Sequence, residues 1–148
     1  MATVAAEYQE LRSRDVIVFF ISTDSPFTHK AWQEHEINEM VEDGVHWPML
    51  GDQGGKIGTL YGVYDEDMGI DQRSHFLIDP DGNVSAIEIV IADIGRDIDE
   101  LLRLIKAAQH VRETGEATPA NWQPGAATLN PGPELVGRVW EVWKPKEK

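Results

Sequence analysis

Few side chains in this sequence are candidates for chemistry, and type and spacing weigh each one first. Arg73 is one of two basic residues among eleven acidic ones between Asp65 and Glu100. On that setting alone it reads as half of an ordinary surface ion pair. His29, His35 and His46 lie near Glu34 and Glu36, which raises the question of metal binding. His29 and His35 are six apart, whereas ligand pairs on a helix prefer i, i+3 or i, i+4, so exposed helix histidines are expected. Asp65-Glu-Asp67 has the charge of a calcium loop without its ligand spacing. Gly51 to Gly55 lacks the Gly-Lys-Ser/Thr ending of a phosphate loop. There is no cysteine in the 148 residues. Within the chain that excludes a disulfide, a zinc–thiolate site, an iron–sulfur cluster and a thiol nucleophile. No metal and no cofactor is expected, and a reducing cytoplasm is the default compartment.

Composition narrows the class further. The 148 residues suit one core, and 41% hydrophobic with 26% charged residues reads as globular. With 26 acidic and 13 basic side chains the formal charge is −13. No block is strongly basic, so neither nucleic acid nor an anionic membrane surface is an expected partner. No apolar run approaches a membrane span, and the first residues lack the pattern of a signal peptide.

The elements that must position these residues follow from periodicity. Val4, Tyr8 and Leu11 share one face of a helix over 2–13. Val16 to Ile21 is apolar throughout, β-branched or aromatic, and reads as a strand buried on both faces. Ser25 as N-cap and Pro26 at the first helical position open a helix to about Glu42, with Gly44 closing it. A short strand over 45–50, a glycine loop and one or two helical turns over 56–63 come next. Tyr64 to Gln72 reads as an acidic loop. His75 to Asp79, Pro80-Asp-Gly-Asn83 and Val84 to Ile91 form an antiparallel hairpin. Asp97 to Arg112 is the clearest helix, with an apolar stripe of Ile98, Leu101, Leu102, Ile105 and Ala108 and a stop at Gly115. Prolines 119, 124, 131 and 133 break up the rest. That tail carries Trp122, Trp140 and Trp143, which are expected to wrap over the domain or pack on a second subunit. The order is an α/β domain over 1–115 followed by an extended arm over 116–148.

Within this order stand Ser22-Thr-Asp-Ser-Pro-Phe-Thr-His-Lys-Ala-Trp32, Trp47-Pro-Met-Leu-Gly-Asp52, Tyr61-Gly-Val63, Arg73-Ser-His-Phe-Leu-Ile-Asp-Pro-Asp-Gly82 and Pro119-Ala-Asn-Trp-Gln-Pro-Gly125. In order and spacing they resemble the peroxiredoxins of the alkyl hydroperoxide reductase C, or thiol-specific antioxidant, type. The resemblance covers nearly the whole chain. It implies a thioredoxin-like fold without its N-terminal strands, and peroxide reduction by thiols. It also implies a homodimer or a ring-forming oligomer, through Val84–Ile91, Phe27, Trp32 and the arm with Trp122, Trp140 and Trp143. Contact between subunits is the role it gives the word containing His29. In such enzymes a peroxidatic cysteine becomes a sulfenic acid, and a resolving cysteine in the partner's arm converts that acid to a disulfide. Arg73 matches the family arginine that polarises the peroxide. Thr118 stands where the resolving cysteine would be, so the full form would draw on an external thiol reductant such as thioredoxin.

The same resemblance places the peroxidatic residue a few positions upstream of Met1. The chain as given is therefore expected to be inactive, and its sheet to lack the strand beside Val16–Ile21. A non-catalytic protein that pairs with a full-length relative is the alternative. A selenocysteine at the reactive position would account for the starting point, since its UGA codon reads as a stop. A pseudogene, a sequencing break or a deliberately shortened chain would account for it as well. The upstream DNA separates these: an in-frame TGA followed by Pro-Thr-Glu codons is the selenocysteine outcome, and a frameshift or unrelated sequence excludes it.

Overall fold

The computed structural model describes residues 1–42 and 44–145. The chain divides into two compact units, Met1–Phe76 with Ile87–Ile98, and Leu77–Ala86 with Asp99–Lys148.

In the first unit the N-terminal segment folds as α1 (Ala2–Ala6) and α2 (Tyr8–Ser13), joined at Glu7. Val4 and Leu11 are buried as their spacing requires. The Tyr8 ring sits 4.7 Å from the rings of both His46 and Trp47.

The apolar run after α2 departs from expectation. Only Phe20–Ser22 is strand (β1), paired in parallel with β2 (Met49–Gly51). Ile17, Phe19 and Ile21 alternate outward and are exposed, Ile17 by 71%. Burial on both faces needs cover on both faces and a partner on both edges. Among the described residues β1 has β2 on one edge and no strand on the other. Its inward side does pack: Phe20 and Met49 lie on a core of Ala5, Ile37 and Val45, with Val41 and Trp47 beside them.

The next helix starts as its capping residues predict. Ser25 Oγ accepts the Thr28 N–H at 3.2 Å, and Pro26 opens α3 (Pro26–Trp32). A single π turn over Gln33–Ile37 interrupts the helix before α4 (Asn38–Met40) ends it, two residues short of Glu42. α5 (Lys56–Leu60) takes its cap from a distance. The buried carboxylate of Asp52 accepts the N–H groups of Ile57 at 2.8 Å and Gly58 at 2.9 Å. Those bonds, that of Gly58 foremost, hold the Asp52 carboxyl below the usual carboxylate range although burial pulls the other way.

The segment expected to be an acidic loop is an antiparallel ribbon, β3 (Tyr64–Asp65) against β4 (Ile70–Asp71). Asp65 makes it possible: its carboxylate accepts the Met68 N–H at 3.0 Å and its carbonyl accepts the Gly69 N–H at 2.8 Å. The hairpin is present as β5 (Arg73–Ile78) and β6 (Val84–Val90), with β5 starting two residues early. Asp79 ties its turn by accepting the N–H groups of Asp81 at 2.9 Å and Asn83 at 2.8 Å. Ile87, Ile89 and Ile91 share the exposed face.

In the second unit α6 (Ile98–Thr114) buries Leu102, Ile105 and Ala107. The arm returns past it through a bridge between Ala117 and Leu129. Trp122 is 5% exposed; its Nε1–H donates to Ala126 O at 3.1 Å, and Arg103 donates to its carbonyl at 3.2 Å. Trp122 thus covers its own unit. The proline-rich end holds a 3-10 turn (Pro133–Leu135) and α7 (Val139–Val142), where Trp140 is exposed and Trp143 half-buried. Among the described residues no helix is long and apolar enough to cross a membrane.

Two stability predictions follow from this packing. Leu11→Ala, at a side chain with almost no exposure, is expected to cost about 2–5 kcal/mol in urea unfolding. Phe19→Ala, on the outward side, is expected to cost less than about 1 kcal/mol. The one-sided sheet also predicts a low thermal midpoint for the isolated chain. A cooperative melt above about 65 °C, beyond the ordinary mesophile range, would contradict it.

Candidate active site

The hairpin brings the two cations of the most acidic stretch to one place. Arg73 heads β5, and the chain returns from β6 through a loop that carries Arg96. Both line a cleft of about 140 Å³ together with Met1, Thr3, Val4, Gly95 and Ile98. Arg96 is anchored by its Nη1, which donates to the carbonyl of Ser74 at 2.7 Å. Burial, then the charge of Arg73, lowers the Arg96 pKa, while Glu88 opposes the shift. The α-amino group of Met1 is likewise held below its ordinary 8.0, by burial first and by Arg96 and Arg73 after it. Two arginines lining one small cleft supply the charge to hold an anion and to polarise an oxygen that takes on negative charge.

Glu88, whose charge acts on Arg96, stands against His75, with His75 Nδ1 3.3 Å from Glu88 Oε2. Neither Arg96 nor this pair is marked by type or spacing in the sequence. The available signal was indirect: a hairpin returns its second strand to the start of its first, so a base following β6 lands near Arg73.

Thr118 follows the Ala117 bridge, half-buried in the second unit, whereas Arg73 belongs to the first. The histidines separate. His29, expected to be an exposed helix residue in contact between subunits, is 5% exposed, and its Nε2 is 2.8 Å from Ser22 Oγ. The turn from β1 into α3 folds that ring against the strand end, which corrects the expected exposure. His35 and His46 are exposed. No group of three or more His, Cys, Asp or Glu that could hold a metal occurs among the described residues. Phe27 is 84% exposed, and Trp32 lies at the edge of exposure.

Comparison with known proteins identifies the setting. A family model described as AhpC/TSA family matches residues 1–87, and one described as the C-terminal domain of 1-Cys peroxiredoxin matches residues 107–144. The chain is 48% identical to the selenocysteine-containing peroxiredoxin PrxU of Peptoclostridium acidaminophilum, over 99% of this chain and 73% of that protein. It is 46% identical to alkyl hydroperoxide reductase C of Staphylococcus aureus, over 90% of this chain and 69% of the relative. Among solved structures it resembles the reduced 2-Cys peroxiredoxin of Plasmodium vivax, with a TM-score of 0.79 at 31% identity, covering 86% of this chain and 65% of that one. It also resembles a cysteine-to-serine mutant of peroxiredoxin 6 of Arenicola marina, with a TM-score of 0.81 at 28% identity, covering 88% of this chain and 63% of that one. The chain spans about two thirds of the length of these two structures. Its mixed α/β fold is the thioredoxin-like fold of the peroxiredoxins, and the chain belongs to the AhpC/TSA family of peroxiredoxins.

Proposed function

We propose that these 148 residues supply the anion-stabilising wall of a thiol- or selenol-dependent peroxidase acting on hydrogen peroxide and organic hydroperoxides. The observation that carries the reading is the convergence of Arg73 and Arg96 on one cleft beside Met1, Thr3 and Val4. In the reaction a thiolate or selenolate attacks one peroxide oxygen. A sulfur–oxygen or selenium–oxygen bond forms, the oxygen–oxygen bond breaks, and the departing oxygen takes a proton and leaves as water or an alcohol. Both the attacking anion and the departing oxygen are negative, so fixed guanidinium donors stabilise each without reorganising. In this reading the nucleophile is supplied by a longer form of the chain, at a position preceding Met1. The selenocysteine in the name of PrxU supports a selenol there. With no cysteine of its own the chain holds no such nucleophile and is inactive alone.

The hydroxyl of Thr118 cannot form a disulfide, so an external thiol such as thioredoxin reduces the oxidised residue in this reading. We place the functional boundary at Gly115, where α6 ends and the arm begins. A homodimer or ring forms through Val84–Ile91, Phe27, Trp32 and the exposed end of the arm at Trp140 and Trp143; Trp122 serves its own unit. The protein works in the cytoplasm.

A second reading, a non-catalytic pairing protein, is favoured by the exposed Ile87, Ile89, Ile91 and Trp140 in a chain without a nucleophile. Sizing by light scattering checks it, and a strictly monomeric chain excludes it. The peroxidase reading is checked with the bare chain and with one extended upstream through a cysteine or selenocysteine. Only the extended chain is expected to turn over, and Arg73→Met in it is expected to lower kcat/KM by about 100-fold or more. Turnover by the bare chain above a denatured control contradicts the reading.

A further inference from the structure

His75 and Glu88 are not among the residues lining the arginine cleft, yet both interact electrostatically with Arg96. They face each other across the β5–β6 hairpin, Nδ1 to Oε2 at 3.3 Å, with the His75 side chain 16% exposed. The approach is not aligned as a hydrogen bond. Neither nitrogen of the His75 ring and not Oε2 of Glu88 has a hydrogen-bond partner among the described residues, and all three atoms are buried. Buried polar atoms are normally paired, and leaving them idle is costly. Arg96 is the third member of the group: Glu88 attracts it, Arg73 repels it, and its charge is felt at His75. Burial, with Arg96 behind it, holds the His75 ring below the ordinary 6.5, and Glu88 works against both.

The ring is therefore neutral at about pH 7, and the charge of Glu88 is left to compensate Arg96. A proton on the ring would set a full positive charge against Glu88, whose Oε2 lies 3.3 Å from Nδ1. Glu88 would then compensate His75 instead, and the cleft would carry two guanidinium groups with less opposing charge.

We propose that His75 is a positioning residue that sets, through Glu88, how strongly the Arg73–Arg96 cleft holds a small oxyanion, a proton on the ring tightening the hold. This rests on the reading of that cleft as the anion-stabilising wall of the peroxidase. The groups facing the cleft and the pair are Glu88 from β6, Arg73 from β5, Arg96 from the following loop and the α-amino group of Met1. The last titrates too, so it is acetylated in the test.

The probe is inorganic sulfate, whose charge is constant across the mildly acid and neutral range. Its Kd is read from the amide resonances of Gly95 and Ile98 between about pH 5 and about pH 8, where histidine changes charge. Binding is expected to tighten on acidification by about 3–10-fold, the effect of one added charge nearby in a partly solvated site. By linkage, saturating sulfate raises the titration midpoint of the His75 ring by the same factor. Glu88→Gln is expected to bind more tightly than the parent at about pH 8, where the parent ring is neutral, and to lose most of the pH dependence. His75→Leu is expected to lose the pH dependence, with His75→Asn as the second variant should the leucine chain not fold. No measurable sulfate binding, or an unchanged pH dependence in the folded His75 variant, overturns the inference. Peroxidase turnover plays no part in this readout. A longer chain without activity would sink the proposed function while the His75 linkage stood or fell on the sulfate titration.

Discussion

Two like charges repel, and a protein that brings them to one small cleft has to hold them there. This constraint organises the first unit. Arg73 and Arg96 are the two cations of a stretch containing eleven acids, yet both line the same cleft. The hairpin supplies the holding. Its turn is drawn tight by Asp79, its strands carry the chain out and back, and the carbonyl of Ser74 accepts from Arg96 one residue after Arg73. Glu88 is the carboxylate that opposes the repulsion at Arg96.

The rest of the unit reads as scaffolding for that cleft. α1 contributes Thr3 and Val4 to the lining, and the other side of Val4's turn, at Ala5, joins the core of Ile37 and Val45. The apolar contacts that fix α1 therefore fix one wall of the cleft. Asp52 plays a comparable part for α5, committing a buried carboxylate to two backbone N–H groups. Asp71 stands nearby with its carboxyl raised, by burial first and by the charge of Asp52 second. An added Cβ on Gly58 would overlap Asp71 Oδ1, so the glycine is what allows that approach.

Elements set by local chemistry were legible in the residues. Ser25 and Pro26 start a helix wherever they are placed, Asp79 with Gly82 turns a hairpin, and the stripe over α6 buries itself. What was not legible depended on absent or distant partners. Val16 to Ile21 carries the pattern of a central strand, but pattern states what a segment can cover, not whether a neighbour is there to be covered. The ribbon at 64–71 was hidden by its charge, because its turn is closed by the side chain that makes it look like a loop. Of the residues singled out for chemistry, Arg73 and Thr118 were marked by family likeness, whereas Arg96, His75 and Glu88 needed the hairpin geometry. His29 shows the reverse error: a histidine in a polar helical setting, turned inward by a serine at the strand end.

The division into units follows from where the hairpin lies. Its base, with Arg73 to Phe76 and Ile87 to Val90, belongs to the first unit, and its tip, Leu77 to Ala86, to the second. The backbone passes between the units at 76/77, at 86/87 and again at 98/99. No single recombination breakpoint can detach either unit whole, and no single cleavage can release one from the other. A break at 98/99 parts the arginine cleft from the tryptophan arm, but it leaves the hairpin tip, 77–86, on the side of the cleft, so the second unit cannot be passed on whole without it.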